Sequence, residues 1–328
     1  MKAYPVKFFP IPQERIWGGN QLKEWFDVRT SKPIGEYWVL SSHPNAMSVV
    51  MNGPLSGKTL VQLTEEFPQD YLGHSPQDRF PLLIKFIEAR EDLSVQIHPN
   101  DCYAKEVESD FGKTEAWYIL EHKPNAKIVY GHTFKNKEEY LRAIAEKQVP
   151  YFLQTKEITK DELIFVPAQT LHALLSGTIL IEIQQTSDIT YRVYDWERVD
   201  KNGKSRELHI DKAADVMIYD NSNPLATQSN QERFFISKTS TMKHEHLLTC
   251  PYFSIEKLLI KNGGCDLSLG KKGNPDILIV TEGSGVLETD TNSENLELRR
   301  GDTILIPSTC NGYHIHTKEQ LSLLRTFY

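Results

Sequence analysis

Apolar positions along this chain recur mostly in short runs separated by turn residues, the pattern of strands rather than of long helices. From Tyr4 to about Val50 the runs are short and β-like. Between Leu82 and Ile97, the positions Leu83, Ile84, Phe86, Ile87, Val95 and Ile97 predict two strands around the turn-like segment from Glu88 to Asp92. Further strands are expected at Ala116 to Leu120, Leu163 to Val166 and Thr178 to Gln184. Helical signals are few. Lys58 to Phe67 reads as a helix capped by Thr59, with Leu60, Leu63 and Phe67 on one face. Asn136 with Glu139 three residues on is a capping-box pattern for a helix running to about Lys147, stopped before Pro150. A third helix is expected at Ile210 to Tyr219. The polar stretch Asp220 to Gln231, with Pro224 and several Asn, Ser and Gln residues, reads as a linker, and a second β-rich unit follows from Phe234 to Tyr328.

A short internal repeat ties the two units together. Asp161 to Pro167 aligns with Gly301 to Pro307, each a turn, an apolar strand and a proline, which resembles one element of a cupin-type, jelly-roll barrel. In the first copy His172 follows the proline by five residues, and in the second copy Gly312 stands there. Trp117 to Leu120 aligns in the same way with Ile277 to Val280, which sets Pro275 at the position of Glu115. The expected fold is therefore mainly β: one metal-binding barrel and one metal-free barrel, with a few short helices. The boundaries read as a catalytic domain over 1–220, a linker over 221–233 and a metal-free domain over 234–328.

Composition changes this picture little. A length of 328 residues suits two compact units, and no apolar run approaches the roughly 18 residues of a membrane span. Pro5, Lys7, Pro10 and Pro12 interrupt anything that could serve as a signal-peptide core, so the expected location is the cytoplasm. Cys102, Cys250, Cys265 and Cys310 are scattered without Cys-x-x-Cys spacing, which argues against a disulfide framework and against a thiolate zinc site. A net charge of −7 and a pI near 5.9 exclude the basic balance of a nucleic-acid binder. An anionic small molecule would need a local basic pocket. The oligomeric state is left open between monomer and dimer.

The chemistry sits in four clusters. In a strand, residues two apart share a face, so Ser94, Gln96 and His98 project together. Lys113 and Glu115 form a second such pair, and His172 stands just after the Leu163 to Val166 strand, where a barrel mouth would be. Zinc accepts imidazole nitrogen and carboxylate oxygen and keeps an open position in catalytic sites. His98, Glu115 and His172, with the Gln96 amide oxygen as a weaker fourth ligand, fit that chemistry, although each segment could equally be a solvated strand face. The fourth cluster is Glu182 to Trp196. Arg192 suits a phosphate or a developing oxyanion but could be an ordinary structural ion pair, and Tyr191, Tyr194 and Trp196 suit a core as well as a sugar-stacking surface.

Taken in order, Gln96-Ile97-His98-Pro99, Gly112-Lys113-Thr114-Glu115, Leu171-His172-Ala173 and Ser187-Asp188 through Arg192 closely resemble the type I phosphomannose isomerases. Trp17-Gly18-Gly19, Gly35-Glu36-Tyr37-Trp38 and Ser42-His43-Pro44 look like the same family's N-terminal signatures, and the resemblance runs from about Trp17 to Ile218. It implies one zinc ion per chain held by Gln96, His98, Glu115 and His172. It also implies catalytic roles for Arg192, Lys113 and Glu182, and substrate binding by Lys85 and Ser94. The large helical insertion of longer members is missing and Leu174 stands where those members carry tyrosine, so the chain resembles the short bacterial form. His43, His122 and His132 are read as structural or surface residues.

The activity so implied is interconversion of mannose 6-phosphate and fructose 6-phosphate by proton transfer through an enediol(ate), with a sugar phosphate as the only partner and no nucleic acid or membrane. Lys113, Glu182 and Lys85 are the candidates for the group that moves the proton. Two rivals are a non-catalytic sugar-binding cupin and a different metal-cupin enzyme, an oxygenase or epimerase. A pure binder has no need of a Lewis acid. An oxygenase usually uses a redox metal with more imidazoles than this set offers.

Overall fold

Alternation along three central strands organises the fold. A computed structural model of the chain describes residues 2–199, 202–219, 233–290 and 295–328. The linker expected over 221–233 lies, apart from Arg233, outside the described residues. In Leu82–Ala89, Glu115–His122 and Thr178–Gln185, one set of alternate side chains (Ile84, Phe86, Ala116, Tyr118, Ile181, Ile183) joins a large core shared with the C-terminal unit. The other set (Ile87, Trp117, Ile119, Leu180) faces a separate core inside the first barrel. Strands buried on both faces show no polar-out period, which is why these segments read as near-continuous apolar runs. The inward set also carries Lys85, Glu115 and Glu182, so the strand period delivers three ionisable groups to one interior.

The first barrel is made of two sheets. A six-stranded sheet runs Ile11–Gly19, Ile34–Leu40, Leu82–Ala89, Thr178–Gln185, Glu115–His122, Leu163–Val166. A five-stranded sheet runs Tyr191–Tyr194, Val95–Ile97, His172–Leu174, Lys127–His132, Leu153–Glu157. The outer face of the second sheet is covered by the helices Lys137–Ala145 and Ile210–Val216, with Val95, Ile97, Ala173, Tyr191 and Val193 packed beneath them. Both helices were expected from the sequence. Asn136 caps the first of them by accepting from Glu139 N, whereas the Glu139 carboxylate reaches Lys135 N rather than the cap residue's own amide. The helix expected near Thr59 spans Leu60–Glu66 with a complete capping box between Thr59 and Gln62.

The C-terminal unit is one eight-stranded sheet whose long strands, Ser254–Leu267, Asp276–Thr289 and Tyr313–Phe327, bend around their own core. Its edge is completed by Val6–Lys7, which pairs with Thr303–Ile306, so the start of the chain belongs to the sheet formed by its end.

The repeat is real at the level of hydrogen bonds. Asp161 N and Glu162 O bond to Ile119 at 2.9 Å each, and Gly301 N and Asp302 O bond to Val280 at the same lengths. Both turns hold their first repeat residue in the left-handed region, Asp161 at φ 67° and Gly301 at φ 91°. The register corrects one alignment, however. Glu115 lies opposite Val166 and Asp276 lies opposite Ile306, so the counterpart of Glu115 is Asp276 and not Pro275. By the same pairing Glu182, opposite Trp117, corresponds to Arg325, opposite Leu278. The second unit thus keeps a buried carboxylate at the Glu115 position but closes it with a guanidinium: Arg325 Nε donates to Asp276 Oδ2 at 2.8 Å and Nη1 to Glu256 Oε2 at 3.2 Å. Tyr313 donates to the same Asp276 oxygen, and Arg325 also donates to the Ser268 carbonyl.

Candidate metal centre

Two rows of side chains face each other across the first barrel. On the five-stranded sheet, Gln96 is in register with His172 on one side and Arg192 on the other. On the six-stranded sheet, Lys85 is opposite Trp38 and Glu182, and Glu182 is opposite Trp117. Glu115 opens its strand opposite Gln184, and Lys113 precedes it on a segment tied back by its amide to the Pro99 carbonyl at 3.1 Å.

His98, Glu115 and His172 each offer a ligand atom within 4.8 Å of the others, and they form the one such group among the described residues. Glu115 Oε1 is 3.4 Å from His172 Nε2, and Oε2 is 3.6 Å from His98 Nε2. The imidazoles are fixed from behind, His98 Nδ1 on the Ile189 carbonyl at 2.7 Å and His172 Nδ1 on the Thr170 carbonyl at 2.8 Å. A carbonyl can only accept, so each Nδ1 carries the proton and each Nε2 turns a lone pair inward. Burial, and after it the Lys113 charge, hold His98 well below its usual pKa. Burial likewise brings His172 down to about 4. Both rings are therefore neutral, as a metal requires. The Gln96 amide nitrogen lies 3.4 Å from His172 Nε2, so its head group reaches the same point.

Glu115 supplies the test of fit. It is fully buried, and neither oxygen accepts a well-formed hydrogen bond among the described residues. Its contacts are the two imidazoles and the Lys113 ammonium, 3.1 Å from Oε2. Burial first, then the negative charge of Glu182, push its pKa up. A buried carboxylate in that position is stabilised by a cation, and two lone-pair nitrogens beside it match zinc better than a proton.

Around this group the charges alternate across the sheet. Arg15 Nε meets Glu36 Oε1 at 2.9 Å, Lys85 Nζ lies 3.9 Å from Glu36 Oε2 and 3.2 Å from Glu182 Oε1, and Lys113 Nζ lies 3.9 Å from Glu182 Oε1. Trp38 and Trp117 indoles donate to Glu36 and Glu182 at 2.7 and 3.1 Å. Burial would raise the Glu36 pKa, but the charges of Lys85 and Arg15 bring it down to about 2. Glu182 is lowered in the same way, burial opposing and Lys113 and Lys85 prevailing. Burial would lower the Lys113 amine, but Glu115 and Glu182 hold it above its ordinary range.

Gln96 and Lys113, which touch this buried group, line a cavity of about 420 Å³ together with Lys85, Ser94, Glu182 and Arg192, so the residues singled out from the sequence lie in or directly behind one cavity wall. Arg15, Glu36, Asp188 and Arg206 also line it and were not singled out as site residues. Glu36 lay inside a quoted signature, which was its only signal. Arg206 had none, because it arrives from the loop before the Ile210–Val216 helix. Tyr191 is core, Tyr194 and Trp196 pack against that core, and none of the three lines the cavity. Leu174 is buried in the barrel's inner core, and among the described residues no helix is long and apolar enough to cross a membrane.

Comparison with known proteins points the same way. A family profile described as phosphomannose isomerase type I, catalytic domain, matches residues 7–141. Over 309 residues, 94% of each chain, the sequence is 38% identical to the mannose-6-phosphate isomerase ManA of Bacillus subtilis. The crystal structure of a mannose 6-phosphate isomerase from Bacillus subtilis superposes with a TM-score of 0.89 at 36% identity, covering 99% of both chains. A mannose 6-phosphate isomerase bound with zinc and yttrium shares the fold, with a TM-score of 0.74 at 17% identity over 98% of this chain and 99% of that one. The fold class is mainly β and of the cupin type.

Proposed function

The chain belongs to the type I phosphomannose isomerases, which are mannose-6-phosphate isomerases, and on that premise we propose that it interconverts mannose 6-phosphate and fructose 6-phosphate with one zinc ion. The observation that carries this reading is the buried His98–Glu115–His172 group, whose carboxylate accepts no well-formed hydrogen bond among the described residues, directly behind the Gln96 and Lys113 wall of a cation-lined cavity. Gln96, His98, Glu115 and His172 would hold the ion, within a catalytic unit over 1–220 and beside a metal-free unit over 234–328. Bound there, zinc supplies a Lewis-acid charge that favours negative charge on the sugar's reacting oxygens.

The chain's own residues do the rest. Aldose–ketose isomerisation moves a proton between adjacent carbons, and its barrier is set by the enediolate charge that develops meanwhile. Arg192 presents a planar donor fork to that charge, from a position one strand away from Gln96. Its Nη1 is anchored on the Glu207 carbonyl at 2.7 Å, which leaves the buried Nε without a partner. Lys113, held as an ammonium, donates to a sugar oxygen. Glu182, held ionised between Lys85 and Lys113, is the acceptor that carries the proton from one carbon to the other. Lys85 and Ser94 bind hydroxyls along the sugar. The cytoplasm is the location this activity suits.

The test is isomerisation in deuterated water. A proton carried by a side chain mixes with solvent, so we expect mannose 6-phosphate to give fructose 6-phosphate with solvent deuterium at a former carbon-bound position. Conversion without any label would favour a hydride shift or a base fully shielded from solvent.

A further inference from the structure

One corner of the cavity has more positive charge than its partners cancel. Lys85 lies within ion-pair distance of two carboxylates, Glu36 and Glu182, and Lys113 likewise has Glu115 and Glu182. Arg198 and Arg206 instead share Asp195. Arg206 grips it with two nitrogens, Nε to Oδ2 at 2.8 Å and Nη2 to Oδ1, and Arg198 Nη2 reaches Oδ1 at 2.5 Å. Among the described residues Arg192 has no carboxylate within ion-pair distance; its side chain donates to the Glu207 carbonyl, while the Glu207 side chain is exposed and outside the cavity lining. Burial first, and the Arg206 charge next, lower the Arg192 pKa against the opposing charge of Asp195. Among the described residues, Arg206 Nη1 and Arg192 Nη2 and Nε have no hydrogen-bond partner, and both side chains line the cavity.

We infer that Arg206, oriented by its two-point grip on Asp195 and set beside Arg192, forms the subsite that takes the phosphoryl group of the substrate. Placement agrees with the length of the substrate. Tyr194 is opposite Val95 and Arg192 opposite Gln96, so at Asp195 the chain has passed toward the Ser94 end of that strand, away from His98. Two residues along a strand is about 7 Å, comparable with a hexose from its carbonyl end to its phosphate-bearing carbon. A dianion with several acceptor oxygens matches the Arg206 guanidinium, with its free N–H group, better than the ammoniums, which already have carboxylates, while Arg192 stays at the reacting oxygens. On this assignment Lys85 and Ser94 are left to the hydroxyls.

The inference rests on the sugar-phosphate reading of the cavity, and the two can fail separately. In the zinc-loaded enzyme, Arg206→Gln should raise KM for mannose 6-phosphate by roughly 10- to 100-fold, the range for losing one hydrogen-bonded charge. The inhibition constant of inorganic phosphate should rise in parallel, with kcat and zinc content near wild type. Arg206→Lys, which keeps the charge, should recover part of both and gives the same readout if the glutamine variant folds poorly. Values within threefold of wild type, or a fall in kcat and zinc with phosphate inhibition unchanged, would overturn the assignment and leave Arg206 as a support for Asp195. If the wild type itself fails to turn over mannose 6-phosphate, the isomerase reading fails. The subsite is then judged by melting temperature: inorganic phosphate should stabilise the wild type and not Arg206→Gln, and equal stabilisation of both would overturn it.

Discussion

Glu115→Gln should release the metal and lower turnover by about 10³-fold, a loss of several kcal/mol of transition-state stabilisation. Glu115 is the single carboxylate of the group, and its oxygens face both imidazoles at 3.4 and 3.6 Å. Glutamine keeps the volume, so the cavity does not collapse. It removes the charge that draws the cation in, and its amide would donate toward the lone pairs of His98 and His172 when oriented one way. Lys113 loses one of its two carboxylates but keeps Glu182 at 3.9 Å, so the barrel should still fold with a modest change in melting temperature. His172→Ala should do the same by removing an imidazole ligand. Metal analysis beside circular dichroism checks both, and full metal occupancy in either variant would take that residue out of the ligand set.

Arg192→Lys should keep the metal and the melting temperature while turnover falls about 10²-fold, the scale of losing one oriented donor to a developing oxyanion. Lysine preserves the charge but not the fork. It also cannot at once anchor on the Glu207 carbonyl and offer a second donor from a fixed plane. The division between kcat and KM locates the residue. A fall in kcat places Arg192 at the reacting oxygens, whereas a rise in KM alone would move it into ground-state binding with Arg206. Kinetics near wild type would make Arg192 a structural residue.

Much of this site was legible because a strand's period of two forces it. Ser94, Gln96 and His98 alternate along and just beside Val95–Ile97; Lys113 is brought to Glu115 from the segment before that residue's strand, and His172, expected at a strand's end, opens a short strand of its own. What could not be read is whatever depends on which strands are neighbours. Glu36 and Lys85 are far apart in sequence and meet only because Ile34–Leu40 pairs with Leu82–Ala89. The grip of Arg206 on Asp195 comes from a loop with no periodicity. Val6–Lys7 is a two-residue strand, too short to carry a pattern, yet it closes the sheet of the other unit.

The misplacement of Pro275 shows how little margin the period leaves. A one-residue slip in a strand alignment turns every side chain to the opposite face, so the counterpart of Glu115 was lost although the surrounding repeat was correct. With Asp276 restored, the second unit reads as the same framework with its interior charges rearranged. Arg325 stands where Glu182 would be, Gly312 where His172 would be, and a guanidinium neutralises the carboxylate that a metal ion would neutralise in the first.

Isomerisation should depend on a single metal centre in the first barrel, and a titration of zinc into chelator-stripped protein, followed by the coupled assay of mannose 6-phosphate conversion at each step, tests this dependence. We expect negligible activity without metal and a linear rise that breaks at one zinc per chain. Full activity in the stripped protein, or a break at two per chain, would rule out a single essential centre.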